Sequence, residues 1–119
     1  MTNTYDIFVD FNINNHVVLK VKQHDDLSRI ICITCTTDGD IVNLNSSDCT
    51  CDIKMLLPNG ARLREPANIN DDGIVIYELT KDVLSEHGKA FFEVVLSNSE
   101  TNKQLSSMPV TLIIEPSVF

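Results

Sequence analysis

The chain has no tryptophan, and two tyrosines and five phenylalanines are its only aromatic side chains in 119 residues. Flat rings of the kind that stack on sugars are therefore scarce. Glycine is as thin: Gly39, Gly60, Gly73 and Gly88 stand apart, so no glycine-rich loop is present to cradle a phosphate. No apolar run approaches the roughly 20 residues that a membrane-spanning helix needs. The opening MTNTYDIFVDF also lacks the basic flank and apolar core of a signal peptide. The expectation is a soluble, unsecreted protein whose cysteines begin as thiols in a reducing cytoplasm. Cations are outnumbered, nine Lys and Arg against seventeen Asp and Glu, for a net charge of −8. Phosphate backbones and anionic lipid surfaces repel such a chain, which argues against nucleic acid and membrane as partners.

What is present is one domain's worth of strands. At 119 residues and 43% hydrophobic content, a single core forms without metal or disulfide staples, so residues 1–119 read as one domain. Tyr5, Ile7, Val9, Phe11 and Ile13 alternate with polar neighbours, the period of a half-buried strand. After Asn14-Asn15, Val17, Leu19 and Val21 repeat the pattern against Lys20 and Lys22, giving either a hairpin with the first strand or strands of two facing sheets. RIICITCT ends at the turn Thr37-Asp38-Gly39-Asp40, before an apolar piece with Ile41, Val42 and Leu44. Beyond the polar patch Asn45–Asp48, CTCDIKMLL alternates and stops at Pro58-Asn59-Gly60. ARLRE is a short return strand, 68–73 a loop, and IVIYEL a compact strand. KAFFEVVLS and PVTLIIEP follow, joined by the polar segment 98–104. One stretch reads as helix, about 81–87, with Thr80 as cap and Gly88 as its left-handed terminator. These pieces predict an all-β fold, an antiparallel immunoglobulin-like sandwich with one short helix.

The four cysteines, Cys32, Cys35, Cys49 and Cys51, have spacings that suggest a zinc site or disulfides. Ile33 and Thr34 keep Cys32 and Cys35 inside a strand, where residues three apart point to opposite faces. A shared metal is thus disfavoured, and a redox motif lacks its helix. Cys35, Cys49 and Cys51 are the one grouping that could converge, and buried thiols acting as small hydrophobes are the preferred reading. No metal or other cofactor is assigned. His16, His24 and His87 fall in turns or at the helix end. Ser85 and His87 are close in sequence without an orienting carboxylate. Asp25-Asp26, Asp38, Asp40 and Asp71-Asp72 flank turns and match no calcium-loop spacing. The reading is non-enzymatic, with no catalytic residue.

The order of pieces resembles the N-terminal domain of the baseplate upper protein family of phages and prophages of Gram-positive bacteria. TYDIFVDF, LKVKQHD with Gln23 and Asp25, TTDGDIVNL, the PNG turn, DDGIVIYELTKDVLSEHGKAFFEVVL and VTLIIEPSVF carry the resemblance over nearly the whole chain. His24 stands where the family pattern has glycine. The resemblance implies a virion structural protein of the tail baseplate, made in the bacterial host cytoplasm. Such a domain is the N-terminal part of a longer tail protein and holds receptor-binding machinery to the baseplate core through contacts with other tail proteins. It also implies a homo-oligomer, trimeric at full length, and no role for cysteine or metal: Cys32 faces outward and the other three inward. A carbohydrate-binding or adhesin-like sandwich touching the host surface is the alternative, and a metal or redox protein a third. The sequence names no partner-binding residue, and the apolar positions along Tyr5–Phe11 read as core.

Overall fold

The computed structural model describes residues 2–12, 17–22, 28–42, 44, 49–80, 82–99, 101, 103–107 and 109–116. Ile13, Asn14, Asn15, His16, Gln23, His24, Asp25, Asp26, Asn45–Asp48 and Lys81, all used in the sequence reading, lie outside them. The described residues form strands β1 (Thr2–Asp10), β2 (Val18–Lys22), β3 (Ser28–Thr37), β4 (Asp40–Ile41), β5 (Cys49–Leu56), β6 (Arg62–Ile69), β7 (Val75–Leu79), β8 (Gly88–Asn98), β9 (Gln104–Ser106) and β10 (Val110–Glu115).

The strands follow one another in the order β1-β3-β7-β6-β5-β8-β10-β2, with β4 beside β3 and β9 beside β8. This path is folded into two layers. Sheet A holds β1, β3, β4 and β7, and sheet B holds β5, β8, β9, β10 and β2. Strand β6 belongs to both: Arg62–Ala67 pair with β5, and Asn68 and Ile69 pair with β7. The all-β sandwich expectation holds, with β1 and β2 on opposite sheets rather than in a hairpin. Two pairings depart from an antiparallel fold, since β1 runs parallel to β3 and β2 parallel to β10.

Alternation decides what each sheet buries. Ile7 and Val9 of β1, Ile31, Ile33 and Cys35 of β3, and Val75, Tyr77 and Leu79 of β7 face inward. They meet Cys51, Ile53 and Met55 of β5, Ala90, Phe92, Val94 and Leu96 of β8, Val110, Leu112 and Ile114 of β10, and Leu19 and Val21 of β2 in one core. Each fully buried large side chain here, such as Phe92 or Ile33, adds about 2 kcal/mol of transfer free energy.

The expected helix is the main correction. Segment 81–87 contains a single 3-10 turn, Val83–Ser85, whose preceding Asp82 makes no side-chain capping bond. Thr80 does not cap it: its carbonyl accepts from Leu84 N at 3.2 Å, and its Oγ1 is buried with no partner. Gly88 closes no helix. It opens β8 with φ of +132°, and a Cβ there would stand 2.9 Å from Pro58 Cβ, so the close approach of the β5–β6 turn requires glycine. Val83 and Leu84 are buried, so the apolar signal of the segment marked core and not helical length.

Two smaller differences follow the same logic. ARLRE continues to Ile69, extending the short return strand into what reads as loop, because β6 must reach both sheets. Within the polar connection, Gln104–Ser106 add a strand to β8, locked by a reciprocal pair: Ser107 N donates to Val94 O, and Val94 N to Ser107 Oγ, both at 2.9 Å.

Candidate interaction surfaces

Cys35 and Cys51 sit in the core from opposite sheets, 1% and 2% exposed, and burial pushes each thiol up to about 12. Cys49 lies at the margin, half-buried rather than fully inward, and Cys32 is half-buried on the outer face of sheet A. Burial raises Cys32 as well, with Asp6 beside it on β1 adding to the shift. Among the described residues, no group of three or more His, Cys, Asp or Glu is disposed to hold a metal ion. Ser85 Oγ donates to the Asp82 carbonyl at 2.9 Å, and His87 is exposed.

Two turns are instead shaped by Asp10 and Asn70, whose side chains accept from backbone amides. Asp10, 4% exposed at the end of β1, is a node for the β3–β4 hairpin. Its Oδ2 accepts from Thr36 Oγ1 and from Gly39 N, both at 2.9 Å, and its Oδ1 accepts from Asn12 N at 2.8 Å and Asp38 N at 3.3 Å. Asp38 and Gly39 both have positive φ, the conformation of a tight hairpin turn. Asn70 Oδ1 similarly accepts from Asp72 N and Ile74 N, shaping the turn that leads into β7. On the core side, Tyr77 donates its hydroxyl to Glu65 Oε1 at 3.0 Å, tying β7 to β6.

Two outer faces carry contrasting chemistry. On sheet B, the register aligns Arg62, Leu56, Phe91, Thr111 and Val18 in one row across five strands. Leu56, Phe91 and Val18 are 39%, 40% and 51% exposed. One adjacent row holds Arg64, Lys54 and Glu93, and the other holds Lys89, Ile113 and Lys20. A shallow groove of about 590 Å³ runs between Arg62, Lys54, Leu56, Phe91 and Pro109. Within this face Arg64 donates to Asp52 at 2.8 Å. Counting Lys22 and Glu115 at the end of β2 and β10, the face has six cations and three carboxylates in a chain of net charge −8.

On sheet A, the outer face carries no described Lys or Arg. Phe8, 58% exposed on β1, and Ile41, 67% exposed on β4, stand on either side of Thr34 and Thr36 of β3. Asp6 and Glu78 lie on the same face and are exposed, as is Asp38 on the adjoining hairpin turn, whereas Asp40 pairs with Thr37 and so points to the opposite side from Ile41. The sequence reading takes Asp38 and Asp40 only as turn residues and does not group these side chains as a face, because register alone brings them together.

No family model matches the sequence, and no curated protein matches it significantly. Among solved structures the chain is similar to the N-terminal domain of phage TP901-1 ORF48, with a TM-score of 0.79 at 16% identity. The likeness covers 97% of this chain and 99% of that one, so the two share a fold over essentially their whole length.

Proposed function

We propose that this chain is a structural domain of a phage tail baseplate, the N-terminal part of a longer tail protein. It attaches receptor-binding machinery to the baseplate core by contacts with other tail proteins and performs no chemistry of its own. One observation carries the reading: the fold is shared end to end with the N-terminal domain of a phage protein. The sequence resemblance to the baseplate upper protein family points the same way from different data. The buried thiols and the Asp10 carboxylate taken up by backbone amides are consistent with a domain that works through its surface.

Immunogold electron microscopy of purified phage particles with antibodies against this chain tests the proposal. Label at the distal end of the tail is expected. Label on the capsid, or particles free of the chain by mass spectrometry, would overturn it.

A further inference from the structure

The two outer faces are complementary to each other. Sheet B presents an exposed apolar row, Leu56, Phe91 and Val18, flanked by Lys54 and Arg64 on one side and by Lys20 and Lys89 on the other. Neighbouring rows on one face of a sheet are about 7 Å apart, so each apolar side chain has a cation within reach of a partner's carboxylate. Sheet A presents Phe8 and Ile41 on its outer face together with Asp6 and Glu78, and Asp38 is exposed on the adjoining turn. The first surface is an apolar strip with a basic rim, and the second an apolar pair with an acidic rim. That is the pattern of a protein interface, with an apolar centre and charges at the edge.

We infer that the outer face of sheet B docks the outer face of sheet A of a second copy of this chain, head to tail. The two patches differ and lie on opposite sheets, so the contact is heterologous: each copy keeps one face free, and copies add in series. The carboxylates Asp52, Glu93 and Glu115 among the cations, and the net charge of −8, disfavour nucleic acid as the occupant. The same net charge opposes association at long range, so the contact is weak for an isolated chain and strengthens where copies are held close. This inference goes beyond the baseplate role and stands or falls separately from it.

The test uses two double variants of the full chain, all at exposed positions. Arg62→Glu with Lys89→Glu reverses two of the cations on the sheet B face, and Asp6→Lys with Glu78→Lys reverses two of the carboxylates on the sheet A face. Sedimentation equilibrium of the wild type from about 10 µM to about 1 mM is expected to show mass rising with concentration. Each double variant alone is expected to stay monomeric, with association weakened about tenfold or more. Mixed in equal amounts, the two variants are expected to associate, because each retains the face that the other lacks and the two reversed faces are again opposite in charge. A wild type that stays monomeric throughout overturns the inference. So does a dimer that survives in either variant alone, a mixture that remains monomeric, or occupation of the sheet B face by a different tail protein to the exclusion of a second copy.

Discussion

Asp10 shows how one side chain can set a local structure that its own strand pattern would not reveal. By position it belongs to the outer face of β1, yet it is buried because the β3–β4 turn folds over it and presents backbone amides. Replacing it with alanine strands Gly39 N and Thr36 Oγ1 without their acceptor. Asp10→Ala is expected to destabilise the fold by about 3 kcal/mol in urea unfolding, with the slope unchanged. The buried thiols yield a second prediction. Cys35 and Cys51 titrate at about 12 in the folded chain against 9.0 when unfolded. Above pH 9 the unfolded state loses protons that the folded state keeps, so stability is full below pH 9 and falls as pH rises toward 12. Each thiol removes about 1.4 kcal/mol per pH unit in that window. Denaturant melts at stepped alkaline pH read this directly, and a profile flat from pH 9 to 12 would contradict the burial of both thiols.

Among elements, the segment between β7 and β8 best separates what sequence reveals from what it conceals. Thr80 and Gly88 have the residue types of a helix start and stop at a plausible separation. The β5–β6 turn, however, presses Pro58 against Gly88 and recruits that glycine as the first residue of β8. Local propensity lost to a contact thirty residues away, which no window on the segment could register. The misread cap leaves a buried hydroxyl with no partner. Thr80→Val keeps the shape and removes that group, and is expected to raise stability by about 1 kcal/mol, seen as a higher melting temperature. By contrast, the alternation in β1, β2 and β5 was legible because period two reports the buried face wherever one side of a sheet is wet. Alternation says nothing of which strand lies alongside, so neither the parallel pairings nor the two charged faces could be read. Lys20, Lys54 and Lys89 are far apart in sequence and become neighbours on one face only through register.

For the whole molecule, β6 is the strand that makes two sheets one unit. Its first six residues belong to sheet B and its last two to sheet A, so neither layer can open without breaking its ladder. Unfolding is therefore expected to be a single transition. Both tyrosines, Tyr5 and Tyr77, lie on sheet A, and Cys51 lies on sheet B, which provides one reporter per layer. Tyrosine fluorescence and alkylation of Cys51 should give coincident midpoints in denaturant, and separated midpoints would mean that the layers melt independently.

The strand order also sets a timetable for synthesis. Strands β1 and β2 form the two ends of the path, and they leave the ribosome before the strands that lie between them. Strand β1 finds its neighbour soon, in β3, whereas β2 waits for β10, close to ninety residues later. Through most of translation β2 is a nascent strand with an apolar side, Leu19 and Val21, and no ladder to join. Lys20 and Lys22 alternate with those two residues. The same lysines that rim a face of the finished domain thus serve earlier as gatekeepers, keeping an unpartnered strand from pairing with the wrong chain on a crowded polysome.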